Sequence, residues 1–187
     1  MADVRPISET YLADMRARFE GLRGTAERAL KQTSDDSFFR LLGGAEDNSI
    51  AVIVKHMAGN LRSRFTDFLT SDGEKPDRDR DGEFEVRSGD TRDEIMRAWD
   101  AGWVSLLGVL ETLTPGQLAN SVTIRGEVHP VVSALDRQLA HHAYHVGQIV
   151  LLAKHYAGEK WETLSVPRGR SEAFTVDVQA RAANPAR

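Results

Sequence analysis

Three of the six histidines in this chain lie within one short stretch, residues 139–148. His141 and His145 are four residues apart, and residues at that spacing lie on one face of a helix. Two imidazoles on one helical face can ligate a divalent ion, as they do in zinc helices of the H-x-x-x-H type. The pair therefore indicates a metal site, although the same spacing also arises by chance or in an ordinary helical core.

Helical-wheel position separates His142 from its two neighbours. At about 100° per residue, His142 falls within an apolar stripe. The other members of this stripe are Leu135, Leu139, Val146, Ile149 and Ala153. We expect His142 to be a buried structural histidine. His141 and His145 lie beside the stripe, where a pocket edge can bring metal and water together.

A third candidate ligand, His56, comes from an earlier helical segment. It lies off the apolar stripe of that helix, on a flank whose residues are small or polar: Ser49, Val52, Asn60 and Ser63. Three neutral imidazoles plus water form an open, catalytic type of metal site, whereas a closed structural site normally takes a fourth protein ligand. His56 completes such a site only if its helix lies beside the helix of His141.

The remaining polar candidates have no specific metal pattern. His129 is expected in a loop near the pocket mouth, and His155 is expected to complement the end of its helix. Residues 77–81 alternate Asp and Arg, lack the spacing of an EF-hand, and are expected to form a solvated loop. No general base is assigned, and three groups are candidates for positions around the ligands: Arg64, Glu127 and Gln148.

Four segments with helical spacing position these residues. They cover about 8–32, 50–70, 91–113 and 130–156, with the second ending at Ser71-Asp72-Gly73. Asp47, Asn48 and Ser49 are three candidate N-caps of the second helix, and Thr91 followed by acids caps the third. A polar stretch at 71–90 joins helices two and three. Alternation around Arg125-Gly126 predicts a short hairpin before helix four.

Composition narrows the classes of function. The chain has 187 residues, 41% of them hydrophobic and 28% charged, which is typical of one globular domain. The chain has a net charge of −4 and so lacks the excess of basic residues that is typical of a nucleic-acid-binding protein. The absence of cysteine excludes disulfides, thiolate metal ligands and a cysteine nucleophile. No apolar run is long enough for a membrane span, and the N-terminus has no apolar signal core, so we expect a cytoplasmic protein that does not bind membranes.

Several of these segments resemble the DinB-like superfamily. They are Asn48-Ser49-Ile50, the stretch VKHMAGN at 54–60, and His141-x-x-x-His145 followed by Val-Gly-Gln. More narrowly, the chain is similar to a branch of bacterial proteins of unassigned function, through residues 68–75 and 164–169. The resemblance covers most of the chain, from the first helix to Glu172.

The resemblance implies an all-α fold, a four-helix bundle with up-down-down-up order and a long crossover between helices two and three. It maps the superfamily's metal ligands onto His56, His141 and His145, with water completing the site. It also implies a divalent ion such as zinc or nickel, and a homodimer. Characterised relatives include transferases that use a low-molecular-weight thiol, such as bacillithiol or mycothiol, and metal hydrolases.

Two hypotheses of function follow. The first is a metal-dependent enzyme, transferase-like or hydrolase-like, acting on an unidentified small molecule. The second is a non-catalytic, stress-associated, metal-binding dimer. The sequence hint of a dimer is apolar residues beyond one stripe on helix three: Met96, Trp99, Trp103, Val104 and Leu107. We expect one domain over residues 1–187, with the bundle and a packed coil tail at about 8–172 and frayed residues at 173–187.

Overall fold

The computed structural model describes residues 5–44 and 46–183, and most of these residues are helical. The described α-helices are α1 (Ile7–Leu30), α2 (Asp35–Phe39), α3 (Ile50–Phe65), α4 (Arg92–Thr112), α5 (Val131–Ala157) and α6 (Ser171–Ala183). Two strands, β1 (Ser121–Ile124) and β2 (Glu127–Pro130), form an antiparallel hairpin. Single 3₁₀ turns lie at Asp81–Phe84, Pro115–Ala119 and Gly158–Lys160. The expectations for residues 1–4 and for 184–187 lie outside the described residues.

The predicted helix starts are confirmed by their caps. The Ser49 hydroxyl accepts the backbone N–H of Val52 at the start of α3. Thr91 and Glu94 form a reciprocal capping box at the start of α4. Both devices satisfy backbone donors that the first turn of a helix leaves unpaired. The sequence pattern therefore places these two helix starts correctly.

The predicted end of α3 is too late. The helix stops at Phe65, because Thr66 is extended and Asp67 adopts a left-handed backbone with φ of 49°. Phe68 nevertheless stays buried, with its ring centroid 5.3 Å from that of Phe65. The turn keeps Phe68 over the core, and the apolar spacing therefore extends past the end of the helix.

The core lies between the four long helices. Among the described elements, α3 packs chiefly on α4, and α1 packs chiefly on α5. Trp99 and Trp103 of α4 are fully buried, and the Trp103 ring meets Phe19 of α1 and His142 of α5 edge-on. The two tryptophans therefore cannot contribute to a dimer surface, which corrects the sequence hint. Val104 on the same helix is 65% exposed.

The connection between α3 and α4 begins by docking on the hairpin. The backbone N–H of Gly73 donates to the carbonyl of Thr123 at 2.8 Å. The Asp72 carboxylate accepts the N–H groups of Arg125 and Gly126, the two turn residues, both of which have positive φ. Together with the N–H of Glu74, which contributes most, these bonds hold the pKa of Asp72 at about 2. The predicted hairpin is confirmed, and the connection is attached to its turn.

The rest of the connection is not a fully solvated loop. Asp77, Asp79 and Asp81 are exposed as expected, but the Arg78 side chain is only 2% exposed. Arg78 donates two hydrogen bonds to Glu83, at 2.7 and 2.8 Å. The expectation of a solvated loop at 77–81 is therefore wrong for Arg78, because it pairs with carboxylates that the same connection brings inward.

The tail has no helix or strand at 161–170, as expected for coil, and Trp161 and Leu164 pack against the core, but from Ser171 onward it differs from the expectation. Residues Ser171–Ala183 form α6, and none of its side chains is buried. No helix in ranges 5–44 and 46–183 combines the length and the apolar character that crossing a membrane requires.

Candidate metal centre

The three predicted ligands converge in space. His56 lies on α3, His141 and His145 lie on α5, and these helices are in contact. The Nε2 atom of His141 is 3.1 Å from Nε2 of His56 and 3.1 Å from Nε2 of His145. Candidate ligand atoms of the three residues all lie within 4.8 Å of one another. The condition that α3 and α5 be neighbours is met, and we call these three residues the histidine triad.

The spacing of the triad fits one divalent ion. Nitrogen ligands at about 2.0–2.1 Å around a tetrahedral ion lie about 3.3 Å apart, close to the observed contacts. Hydrogen bonding alone does not satisfy this arrangement. His56 and His145 each direct Nδ1 at an acceptor oxygen, so with a proton on each Nδ1 both Nε2 atoms present lone pairs. The triad can therefore hold a metal ion, with room in the coordination scheme for water.

Glu83 orients His56 from behind. Its carboxylate lies 3.0 Å from Nδ1 of His56, and both side chains are buried. Burial raises the pKa of Glu83, but hydrogen bonds from Arg78 and His56 outweigh that effect and lower the pKa. An ionised carboxylate on Nδ1 fixes the tautomer of a metal-binding histidine and raises its basicity. In metal sites, the ring nitrogen of a ligating histidine that does not bind the metal is commonly hydrogen-bonded to a carboxylate in this way.

Gln148 occupies the corresponding place behind His145. Its side-chain oxygen lies 2.8 Å from Nδ1 of His145, one turn further along α5. The sequence-based choice of Gln148 as a neighbour of the ligands therefore agrees with the structure. Glu127 does not contact the triad: it is exposed on β2, and its carboxylate lies 3.7 Å from Nε2 of His129.

Glu83 is a residue of the site that the sequence pattern does not indicate. It lies among many acidic and basic residues of the connection, and their pattern does not distinguish it. The one available signal was Phe84, a large apolar residue beside it. The Phe84 ring lies 4.8 Å from the His56 ring, so it anchors this part of the connection over the triad.

Two of the triad residues, His141 and His145, are favoured in the neutral form that binds metal. Burial, followed by the neighbouring histidines, lowers the pKa of His141 to about 3. Burial also lowers the pKa of His145. Neutral imidazoles are ready to ligate at neutral pH without first losing a proton.

His142 has the predicted structural role. It is fully buried, and its Nδ1 lies 2.7 Å from the backbone carbonyl of Gln138. Its ring packs edge-on against Phe19 and Trp103. His142 thus belongs to the core, although it is adjacent in sequence to a triad residue.

A cavity of about 180 Å³ adjoins the triad at His56 and His141. Its other lining residues are Asn60, Arg64, Arg78, Arg80, Arg125, Arg137 and Gln138. Arg64, another sequence candidate, contributes to this wall and donates to Glu74 and to the Gly73 carbonyl. We call this space the arginine cavity, and it gives a small molecule a place beside the ligands.

A family model described as "Protein of unknown function (DUF1572)" matches residues 6–170. A comparison with curated proteins gives no match, and a comparison with solved structures gives none either.

Proposed function

The chain belongs to the family of proteins of unknown function DUF1572, and we propose that it is a divalent-metal-dependent enzyme with an open three-histidine site. One observation carries the proposal: three Nε2 atoms converge while acceptor oxygens engage Nδ1 of His56 and His145. Such support behind the ligands is typical of sites that hold and tune a metal. The arginine cavity supports a functional site, since it places a binding space next to the ligands.

The proposed chemistry is hydrolysis or thiol-dependent group transfer. A bound divalent ion would act as a Lewis acid and lower the pKa of a bound water or thiol toward neutrality. His56, His141 and His145 would hold the ion, and Glu83 would orient His56. Residues of the arginine cavity would bind and position the substrate. We propose zinc or nickel, because imidazole ligands suit both ions.

We further propose membership of the DinB-like superfamily, with α1, α3, α4 and α5 as an up-down-down-up bundle. The residues at 66–91 support this order, because parallel neighbouring helices need a connection that travels the length of the bundle. A homodimer in the cytoplasm is also part of the proposal. Light scattering at several protein concentrations tests the dimer, and a monomer mass throughout would contradict it.

One observation favours the alternative, a non-catalytic metal-binding dimer. The triad joins α3 to α5, and Glu83 links it to the connection, so an ion there would tie three parts of the chain together. In that case the metal would stabilise the fold rather than act on a substrate.

Metal analysis of the purified protein tests the proposal. We expect about one ion per chain in the wild type and much less in His141→Ala, with both proteins folded by circular dichroism. After a chelator removes the metal, the chain should stay folded and should bind metal again when metal is added. In cobalt-loaded protein, the visible absorption should change when a thiol, or an anion that replaces the metal-bound water, binds to the ion. Unfolding on metal removal would favour the structural alternative. Equal metal content in the two proteins would contradict the proposed site.

A further inference from the structure

The arginine cavity has a large excess of positive charge. Five arginines line it, from α3, the connection, the hairpin turn and α5: Arg64, Arg78, Arg80, Arg125 and Arg137. Two carboxylates, those of Glu74 and Glu83, are hydrogen-bonded to members of this group. Like charges gathered around one cavity repel each other, and an anion held among them relieves that repulsion.

Three of the arginines have structural partners. Arg64, Arg78 and Arg125 all pair with Glu74, at 3.0, 3.3 and 3.1 Å. Arg78 pairs in addition with Glu83. These ion pairs hold the wall of the cavity together. They engage the carboxylates of both Glu74 and Glu83.

Arg80 and Arg137 keep their donors available. Arg137 is exposed at the cavity and forms no ion pair within residues 5–44 and 46–183. The nearest carboxylate to Arg80 is Asp81, at 3.9 Å, and that side chain is 99% exposed. The Arg80 guanidinium lies over the Phe84 ring, 5.2 Å from its centroid, which holds it beside the triad. A guanidinium presents a planar set of donors that matches a carboxylate or a phosphate.

Two buried amides form another part of the wall. Asn60 and Gln138 are 6% and 4% exposed, and their side-chain oxygens have no hydrogen-bond partner among the described residues. Asn60 lies one helical turn after His56, and Gln138 lies one turn before His141, so both amides share a face with a triad residue. A buried acceptor without a partner is costly, and a hydroxyl or ammonium donor from a ligand would satisfy it.

We infer that the arginine cavity binds a small anion beside the triad. The phosphate or carboxylate group of the anion contacts Arg80 and Arg137. A hydroxyl or ammonium group on the same anion contacts the side-chain oxygens of Asn60 and Gln138. The volume of about 180 Å³ lies below the range of about 300–1,000 Å³ usual for ligand pockets, so the ligand is a small metabolite. The statement that this anion is a substrate rests on the proposed function, whereas anion binding itself does not.

Calorimetric titration of the metal-free, folded full chain at low ionic strength tests the inference. The probes are inorganic phosphate, acetate and glycolate. We expect saturable binding near one anion per chain. Arg137→Gln should weaken it about tenfold, because one charge-assisted contact is lost. Arg97→Gln is the matched control, since Arg97 is exposed on α4 and does not line the cavity. Arg80→Gln should weaken binding in the same direction as Arg137→Gln.

The probes separate the two sources of anionic charge. Tighter binding of phosphate assigns a phosphorylated ligand, and tighter binding of a carboxylate assigns an organic acid. Glycolate should bind more tightly than acetate, because its hydroxyl can reach the amide oxygens. Equal binding of these two would overturn the role of Asn60 and Gln138. The absence of saturable binding, or equal weakening by Arg97→Gln and Arg137→Gln, would overturn the anion site.

Metal titration of the same variants separates this inference from the proposed function. Arg137→Gln should bind metal as the wild type does, because Arg137 is not a metal ligand and has no hydrogen bond to a triad residue within residues 5–44 and 46–183. Metal binding without anion binding contradicts only the inference. Anion binding without metal binding contradicts the proposed enzyme and leaves the anion site standing.

Discussion

The Nδ1 atom of His56 lies 3.0 Å from a carboxylate oxygen of Glu83, a residue 27 positions later in the chain. This contact joins a helix of the core to the long connection between α3 and α4. Arg78, from the same connection, donates to both oxygens of that carboxylate. The connection therefore supports the candidate metal centre as well as joining two helices.

Replacing His56 should remove metal without removing the fold. In His56→Ala we expect metal content well below one ion per chain, because two histidines remain on one helix and the ligand from α3 is lost. Metal analysis after dialysis measures this. Unchanged stoichiometry and affinity in folded His56→Ala would show that the triad does not act together.

His142→Ala is the matched control for that variant. The side chain is buried in the core and its Nδ1 engages a backbone carbonyl, so metal should be retained. Loss of the ring leaves a cavity, and we expect the free energy of unfolding to fall by about 1–3 kcal/mol. Chemical denaturation measures the change. Loss of metal with unchanged stability would reverse the roles assigned to His142 and the triad.

Glu83→Gln should weaken metal binding while keeping the ligands. The amide is nearly the same size, but it removes the negative charge that supports Nδ1 of His56. Changes in such supporting groups typically cost 10- to 100-fold in metal affinity. Competition with a chromophoric chelator measures the effect. Glu85→Gln is the control, since Glu85 is exposed on the same connection, and equal affinities in the two variants would contradict this role of Glu83.

Gly59 is where α3 makes room for Glu83. A Cβ atom at this position would lie 2.1 Å from a Glu83 carboxylate oxygen. Gly59→Ala should therefore push the carboxylate away from His56 and Arg78 and lower metal affinity. Gly108→Ala on α4 is the control, because among the described residues no atom outside its chain neighbours and its own helical backbone lies within 4 Å of the added methyl group. That control should keep metal and gain up to about 1 kcal/mol from helix propensity. Unchanged metal affinity in Gly59→Ala would contradict the close approach.

Asp72 should make stability depend on pH in acid. Its pKa is lowered from 3.8 to about 2 in the folded chain, where it accepts the N–H groups of Glu74, Gly126 and Arg125. A lowered pKa means that this stabilisation is present above pH 3.8 and is lost as the pH falls toward 2. Solvent screening reduces its size to about 1 kcal/mol.

Asp72→Asn tests this contribution by urea denaturation at pH 7 and at pH 3. We expect the variant to be less stable than the wild type at pH 7, and the difference to shrink at pH 3. Asp81→Asn, at a fully exposed side chain, should show neither effect. A difference that stays constant with pH would mean that the ionised carboxylate does not anchor the hairpin turn.

Features that follow from local periodicity could be predicted from the amino-acid sequence. The i, i+4 spacing put His141 and His145 on one face, and the wheel separated His142 from them. Thr91 marked one helix start, Asp47, Asn48 and Ser49 marked another to within three residues, and Arg125-Gly126 marked the hairpin turn. Each of these depends on residues within a few positions of one another, where helix and strand geometry alone relate side chains in space.

The surroundings of the triad could not be predicted from the sequence, because they depend on how distant segments pack. Glu83 and Arg78 lie in a polar connection with no periodicity, so their sequence neighbours do not show that they turn inward. The arginine cavity combines side chains from α3, the connection, the hairpin and α5, and it exists only after those segments pack. Burial of such charged groups depends on partners distant in sequence. Local propensity does not predict which carboxylate pairs with which guanidinium, because the pairing depends on how whole helices and loops pack together.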